Sequence, residues 1–348
     1  MITSINLNNK SYVDKSDYSS EFHHIKFDEN SIDYLNVSKI RRNIDYYASS
    51  NKESEIANSI LDGISQGTEQ LSILQGWTNG GVDMFNAAVR VMFNDLKKNS
   101  ENGFTQEDLF QLAIIDVMAN SNVDKNMIDK MVHFLESTGT GSHGVHENWD
   151  GNKFAEEVDS VWNYIKTHAK EGSVAHDVLE LLKDTNSLKK QYKENFNNNN
   201  GYLFESSYSN DLGVSPMLRL TLMSNFIKRK PDISQNDLDM LMTGSINDIE
   251  KLIDEKIGTD ISFSKLLVEN SSWREVEMNG KKVIDWNGVG IDRKYFIDLY
   301  KNFPPRVLDD NDLKQINRIG DNIKMLMQSL KYWFQILRDE RVAIARNI

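Results

Sequence analysis

The last stretch of the chain, from about Asp310 to Asn347, reads as one uninterrupted amphipathic helix. Ile316, Ile319, Ile323, Leu326, Leu330, Trp333, Leu337 and Ile344 recur at spacings of three and four residues, the seam of a coiled coil over about four heptads. Only Glu340 breaks the apolar row. Such a helix spans ~55 Å at ~1.5 Å per residue, longer than a compact domain is wide, so its stripe demands an equally long partner.

The partner that the sequence offers lies in residues 153 to 195. Val158, Val161, Ile165, Ala175, Leu179 and Leu182 keep one heptad register there, with His168 and Gly172 at seam positions that mark a bend or interruption. Antiparallel pairing would build a shaft from 153–196 and 310–348, leaving 197–309 as a separate lobe. The predicted fold is therefore mainly α: an elongated antiparallel intramolecular coiled coil with an N-terminal helical hairpin and a small mixed α/β lobe containing one β-hairpin.

Composition narrows the function classes. Only four prolines among 348 residues suit a helical chain, and a net charge of -12 argues against general affinity for nucleic acid or anionic membranes. No run of about 18 apolar residues exists to span a bilayer. The start, Met1 to Ser20, is polar and lacks the apolar core of a Sec signal peptide. Cysteine is absent. That suits a chain threaded unfolded through a conduit and refolded outside, and it equally suits the Asn, Lys and Ile bias of an AT-rich genome, visible in Asn197 to Asn200.

Residues 1–35 show no sustained period and are expected to be a disordered, export-signal-like segment. A helical region follows over 36–137. It begins with a hairpin: Ile56, Ile60 and Ile64 share a face of a first helix weakened by Gly63 and Gly67. Val82, Phe85, Val89, Met92 and Leu96 form a second stripe after a break at Gly80 and Gly81. Thr105 with Asp108 resembles a capping box before Leu109 to Met118, and Asn122 or Asp124 opens Met127 to Leu135. Residues 137–151 read as a glycine-rich loop.

In the lobe, Asn279 and Gly280 supply a type I′ turn for a hairpin from Trp273 to Trp286. The implied register pairs Trp273 with Trp286, Arg274 with Asp285, Val276 with Val283 and Glu277 with Lys282, each favourable by roughly 0.2–1 kcal/mol. Short helices are expected over Leu218 to Phe226, after Ser234, over Ile246 to Lys256 and after Asp292, before Phe303, Pro304 and Pro305 turn the chain into the last helix.

Little here signals chemistry. His143, His146 and Glu147 combine zinc-ligand types, but in a loop they read as solvated surface groups. His146 to Glu157 partly follows an EF-hand, with Asn148, Asp150, Gly151 and Glu157 in place, but His146 stands where the leading Asp belongs and Lys153 where an apolar residue does. A helix N-terminus rich in acids explains the segment better. Gly288 and Gly290 read as a tight exit from the hairpin. Trp162, Trp333 and Phe334 read as core. No catalytic, cofactor or metal site is expected, and the chain is not expected to be an enzyme.

The order of parts, a helical hairpin, a long helix near 153–195, a lobe with the Trp273 to Trp286 hairpin and a long C-terminal helix, resembles the needle-tip proteins of bacterial type III secretion systems. The extra helices at 105–135 depart from that pattern. The resemblance implies a virulence-associated assembly protein, cytoplasmic before export and then secreted to the bacterial surface. It would contact itself, other apparatus or translocon proteins and a host surface. Its interaction residues would be the seam: Ile316, Ile319, Ile323, Leu326, Leu330, Trp333, Leu337 and Ile344 with Val158, Val161, Ile165, Leu179 and Leu182. An injected effector or α-helical toxin, and an intracellular gatekeeper or scaffold, are the alternatives.

Overall fold

The computed structural model describes residues 51–101, 103–139, 142–143, 146–195, 214–278, 280–308 and 310–346. The 1–35 segment and Asn279 lie outside them. The chain divides into two compact units, one spanning Glu69–Ile319 and the other comprising, among the described residues, 51–68 and 320–346.

The larger unit is built around α3 (Gly103–Asn120). Leu109, Phe110, Leu112, Ala113, Ile114 and Ile115 are all fully buried, so this segment of the helix carries apolar side chains on several faces and must be enclosed. The enclosing helices are α2 (Gly81–Leu96), α4 (Lys125–Leu135), α5 (Gly151–His168), α6 (Val174–Leu182), α7 (Asn186–Asn195) and α8 (Pro216–Arg229). Helix α3 starts at Gly103, before the expected capping box, and Thr105 and Asp108 are buried within it. Asp124 does cap α4, accepting from the Met127 amide. Helix α8 is the second enclosed rod. Ser215 caps it, Pro216 occupies its first turn, and Met217 to Ile227 are all buried. Around α8 lie α9 (Gln235–Thr243) and α11 (Phe263–Val268), with α10 (Ile246–Lys256) packed on both. Helix α12 (Arg293–Lys301) packs on α2.

The hairpin β3 (Trp273–Met278) and β4 (Lys281–Trp286) has the register that the sequence predicts, including Trp273 with Trp286 and Val276 with Val283. Gly280 takes the positive φ its turn needs. The two tryptophans meet edge to face with ring centroids 5.2 Å apart. The Lys282 ammonium reaches diagonally to Glu275, not directly across to Glu277. The expected loop also holds a second small sheet, β1 (Ser137–Gly139) with β2 (Ser142–His143).

The single helix expected over 153–195 does not form. Helix α5 stops at His168, Gly172 adopts φ 80°, Ser173 caps α6, and Lys183 with φ 66° ends it. Helix α7 then folds back onto α5. The interruption expected at His168 and Gly172 is a full break, and the one at Lys183 is invisible to a heptad pattern because that pattern scores only apolar positions. The shaft of 153–196 with 310–348 therefore lacks one of its two rods.

The C-terminal helix α13 (Asp310–Arg346) does run unbroken for 37 residues, and within the smaller unit its residues 320–346 meet residues 51–68 of the N-terminal helix α1 (Asn51–Asn79). Gly63 shows why this helix carries glycine: a Cβ there would lie 3.1 Å from Leu326 Cδ1. Neither Gly63 nor Gly67 ends the helix, which continues to Asn79. Its buried face follows Ala57, Leu61 and Ile64, while Ile56, expected inside, is exposed.

Candidate functional site

The predicted interaction residues separate into three groups. On α13, Ile319, Ile323 and Leu330 are buried, and Ile316, Leu326 and Trp333 are half-buried, so the C-terminal stripe faces inward as its period requires. The side chains of Leu337 and Ile344 lie outside the described residues. Val158, Val161 and Ile165 are fully buried in the larger unit, on the helix that packs against α3, α4 and α7. Leu179 and Leu182 are half-buried on α6. The structure thus divides the proposed seam between different packing neighbours.

The opposite face of α13 carries the signal that the heptad reading missed. Met325 is 58% and Tyr332 66% exposed, large apolar side chains that no described residue covers. At 100° per residue they lie about 180° from Ile323 and Leu330. Their seven-residue spacing was visible in the sequence but masked by the stronger stripe.

His146 and Glu147 do not share a site. The Glu147 carboxylate is buried, held 2.9 Å from His133 Nδ1 and accepting from the amides of Asn148 and Trp149, and His133 stacks on Trp149. His146 instead contacts Asp285, which also receives the Arg274 guanidinium at 3.1 Å. The His143 side chain lies outside the described residues. The EF-hand resemblance dissolves likewise: Asp150 caps α5, and Glu157 is held by both Lys130 and Lys153. Among the described residues, His176, Asp177 and Glu180 group as cation-ligand types, but Asp177 is engaged by Arg90.

What these contacts make is a buried polar latch. Glu136, fully buried, accepts from the Gly290 amide at 2.7 Å and sits beside Glu147 and Asp285. Burial, then the Glu147 charge, pushes its carboxyl up to about 9. Gly290, the expected tight exit from the hairpin, is required here because a Cβ would lie 2.8 Å from Val132. The latch ties α4 to the segment after the hairpin, and no local sequence signal could reveal a contact between residues 154 positions apart.

A second buried acidic group lies on α3. Burial pushes Glu107 up to about 8, opposed by its hydrogen bond with Gln191, and burial also raises Asp108 in spite of the nearby Arg219 charge. A cleft of about 250 Å³ is lined by Asp95, Asn99, Asp108, Arg219 and Thr243 among others. The pH consequence follows from the sign. Folded Glu107 keeps its proton to about pH 8 while the unfolded chain releases it near 4.5, so the folded state holds more protons in between. Stability should therefore fall as pH rises through that window, by at most about 1.4 kcal/mol per pH unit for each such group. Glu107→Gln should match the parent at about pH 4 and melt at a higher temperature at about pH 8. An unchanged difference between the two pH values would contradict the buried-neutral assignment.

Set against family models, curated proteins and solved structures, the chain finds no match in any of the three. The residues themselves must carry the functional reading.

Proposed function

We propose that the chain is a secreted assembly protein of a bacterial type III secretion apparatus, needle-tip or translocon-associated, acting through helix–helix contacts. The observation that supports this is the two-faced character of α13, one stripe buried and Met325 with Tyr332 presented outward. Exposed apolar groups on a helix surface are the usual anchors of a partner helix. On this reading α1 and α13 form the antiparallel coiled coil, so the N-terminal helix takes the place expected of 153–195. Among the described residues no helix is long and apolar enough to cross a membrane.

Because both side chains are exposed, Met325→Asp with Tyr332→Asp should alter stability by only about 0.5 kcal/mol per site. The double variant is expected to be exported normally yet to lose most of its association with the apparatus at the cell surface, measured by fractionation of the producing culture and surface labelling. Normal assembly of a folded double variant, or retention of the parent protein in the cytosol, would refute the proposal. The injected-effector reading draws on the cleft at Asp108 and Arg219, which lies partly in the predicted lobe. Detection of the chain inside a target cell, and not on the bacterial surface, would favour it.

A further inference from the structure

On α13 the residues Arg318, Met325, Tyr332 and Asp339 follow one another at seven-residue intervals, and all four are exposed. They form one column on the outer face, with two apolar side chains in the middle and opposite charges at the ends. A column of that kind is complementary to itself when reversed. We propose that it joins two copies of this chain, with their α13 helices antiparallel. This inference rests on the proposed assembly role of the same face and names its occupant.

The pattern selects the register. Placing the twofold axis between Gln328 and Ser329 sets Met325 of one copy against Tyr332 of the other, and Arg318 against Asp339. Each pair occurs twice, as an isologous contact requires. The methionine thioether against the tyrosine ring is a favourable contact. A parallel arrangement would set Arg318 against Arg318 and Asp339 against Asp339, where like charges repel. Sliding the antiparallel pair by one heptad in either direction leaves one residue type facing itself and sets a charge against an apolar side chain. Charge complementarity thus excludes the neighbouring arrangements.

The absence of native cysteine makes the test direct. Full-length chains carrying Met325→Cys or Tyr332→Cys are oxidised separately and mixed. Positions seven residues apart on a helix are separated by ~10 Å, whereas a disulfide needs Cα atoms within about 7 Å. Covalent dimer should therefore form in the mixture and not in either chain alone. In sedimentation equilibrium, Arg318→Asp and Asp339→Arg should each weaken the dimer at least about tenfold, and the double swap should recover most of that loss. Crosslinking of each single variant alone, no recovery in the double swap, or a parent chain that stays monomeric at millimolar concentration would overturn the inference. A monomeric parent that still loses surface association through Met325→Asp with Tyr332→Asp would leave the assembly role standing with a different occupant.

Discussion

Replacing Arg219 by Ala should cost the folded chain about 3–5 kcal/mol, lowering its melting midpoint by on the order of 10 °C. The side chain is almost wholly buried on α8, and its guanidinium donates to three backbone carbonyls: Nε to Val214, Nη1 to Leu241 and Nη2 to Gly244, at 2.9–3.0 Å. Two of those carbonyls belong to the end of α9, where the helix leaves acceptors unsatisfied and its dipole favours a cation. Removing the guanidinium orphans all three and strips Asp108 of its nearby positive charge. Arg219→Lys should rescue little, because a single ammonium cannot span three diverging acceptors. Thermal denaturation by circular dichroism measures both. A Lys variant as stable as the parent would show that charge alone, and not the fork of donors, matters at this position.

The second large effect is expected where α13 meets α1. Ile323 and Leu330 are each about 1% exposed. Putting Asp at either removes a buried aliphatic side chain and forces a carboxylate into its place, at a cost on the order of 4 kcal/mol or more. Ile323→Asp with Leu330→Asp should therefore release the C-terminal helix, lowering far-UV helicity and exposing residues 320–346 to proteolysis. The larger unit has its own core around Phe110, which packs edge to face on Phe134 and stacks on Trp162, and should still unfold cooperatively. Retained helicity together with unchanged protease resistance would mean that the stripe is not a packing surface.

The contrast with the sequence-based expectations has a consistent physical cause. Features set by neighbours in the chain were legible. Gly280 and four complementary cross-strand pairs define the hairpin; Ser234 with Asp237 forms its capping box, and Asp292 caps α12. The three-four period of α13 was legible because one face of one helix is buried. Features set by distant partners were not. The heptads at 153–195 named a partner for α13 from apolar spacing alone, yet Ser173 and Lys183 punctuate that segment, and its apolar face is used by α3, α4 and α7. Gly63 reads locally as a weak point in a helix, yet it marks the place where another helix approaches. Of the isoleucines Ile56, Ile60 and Ile64 that mark the expected face of α1 only Ile64 is buried, with Ala57 and Leu61 beside it. The latch of Glu136, Glu147 and Asp285 left no trace in sequence at all, since isolated acids read as surface.

The pairing of the N-terminal and C-terminal helices underlies the proposed assembly role, and one engineered crosslink tests it most directly. In the otherwise cysteine-free chain, Gly63→Cys with Leu326→Cys places two thiols where the helices touch. The structure predicts rapid intramolecular oxidation in dilute protein, seen as a faster-migrating monomer on non-reducing gels that reverts on reduction. Oxidation that yields only intermolecular species, or none, would contradict the pairing and with it the assignment of α13 as a two-faced assembly helix.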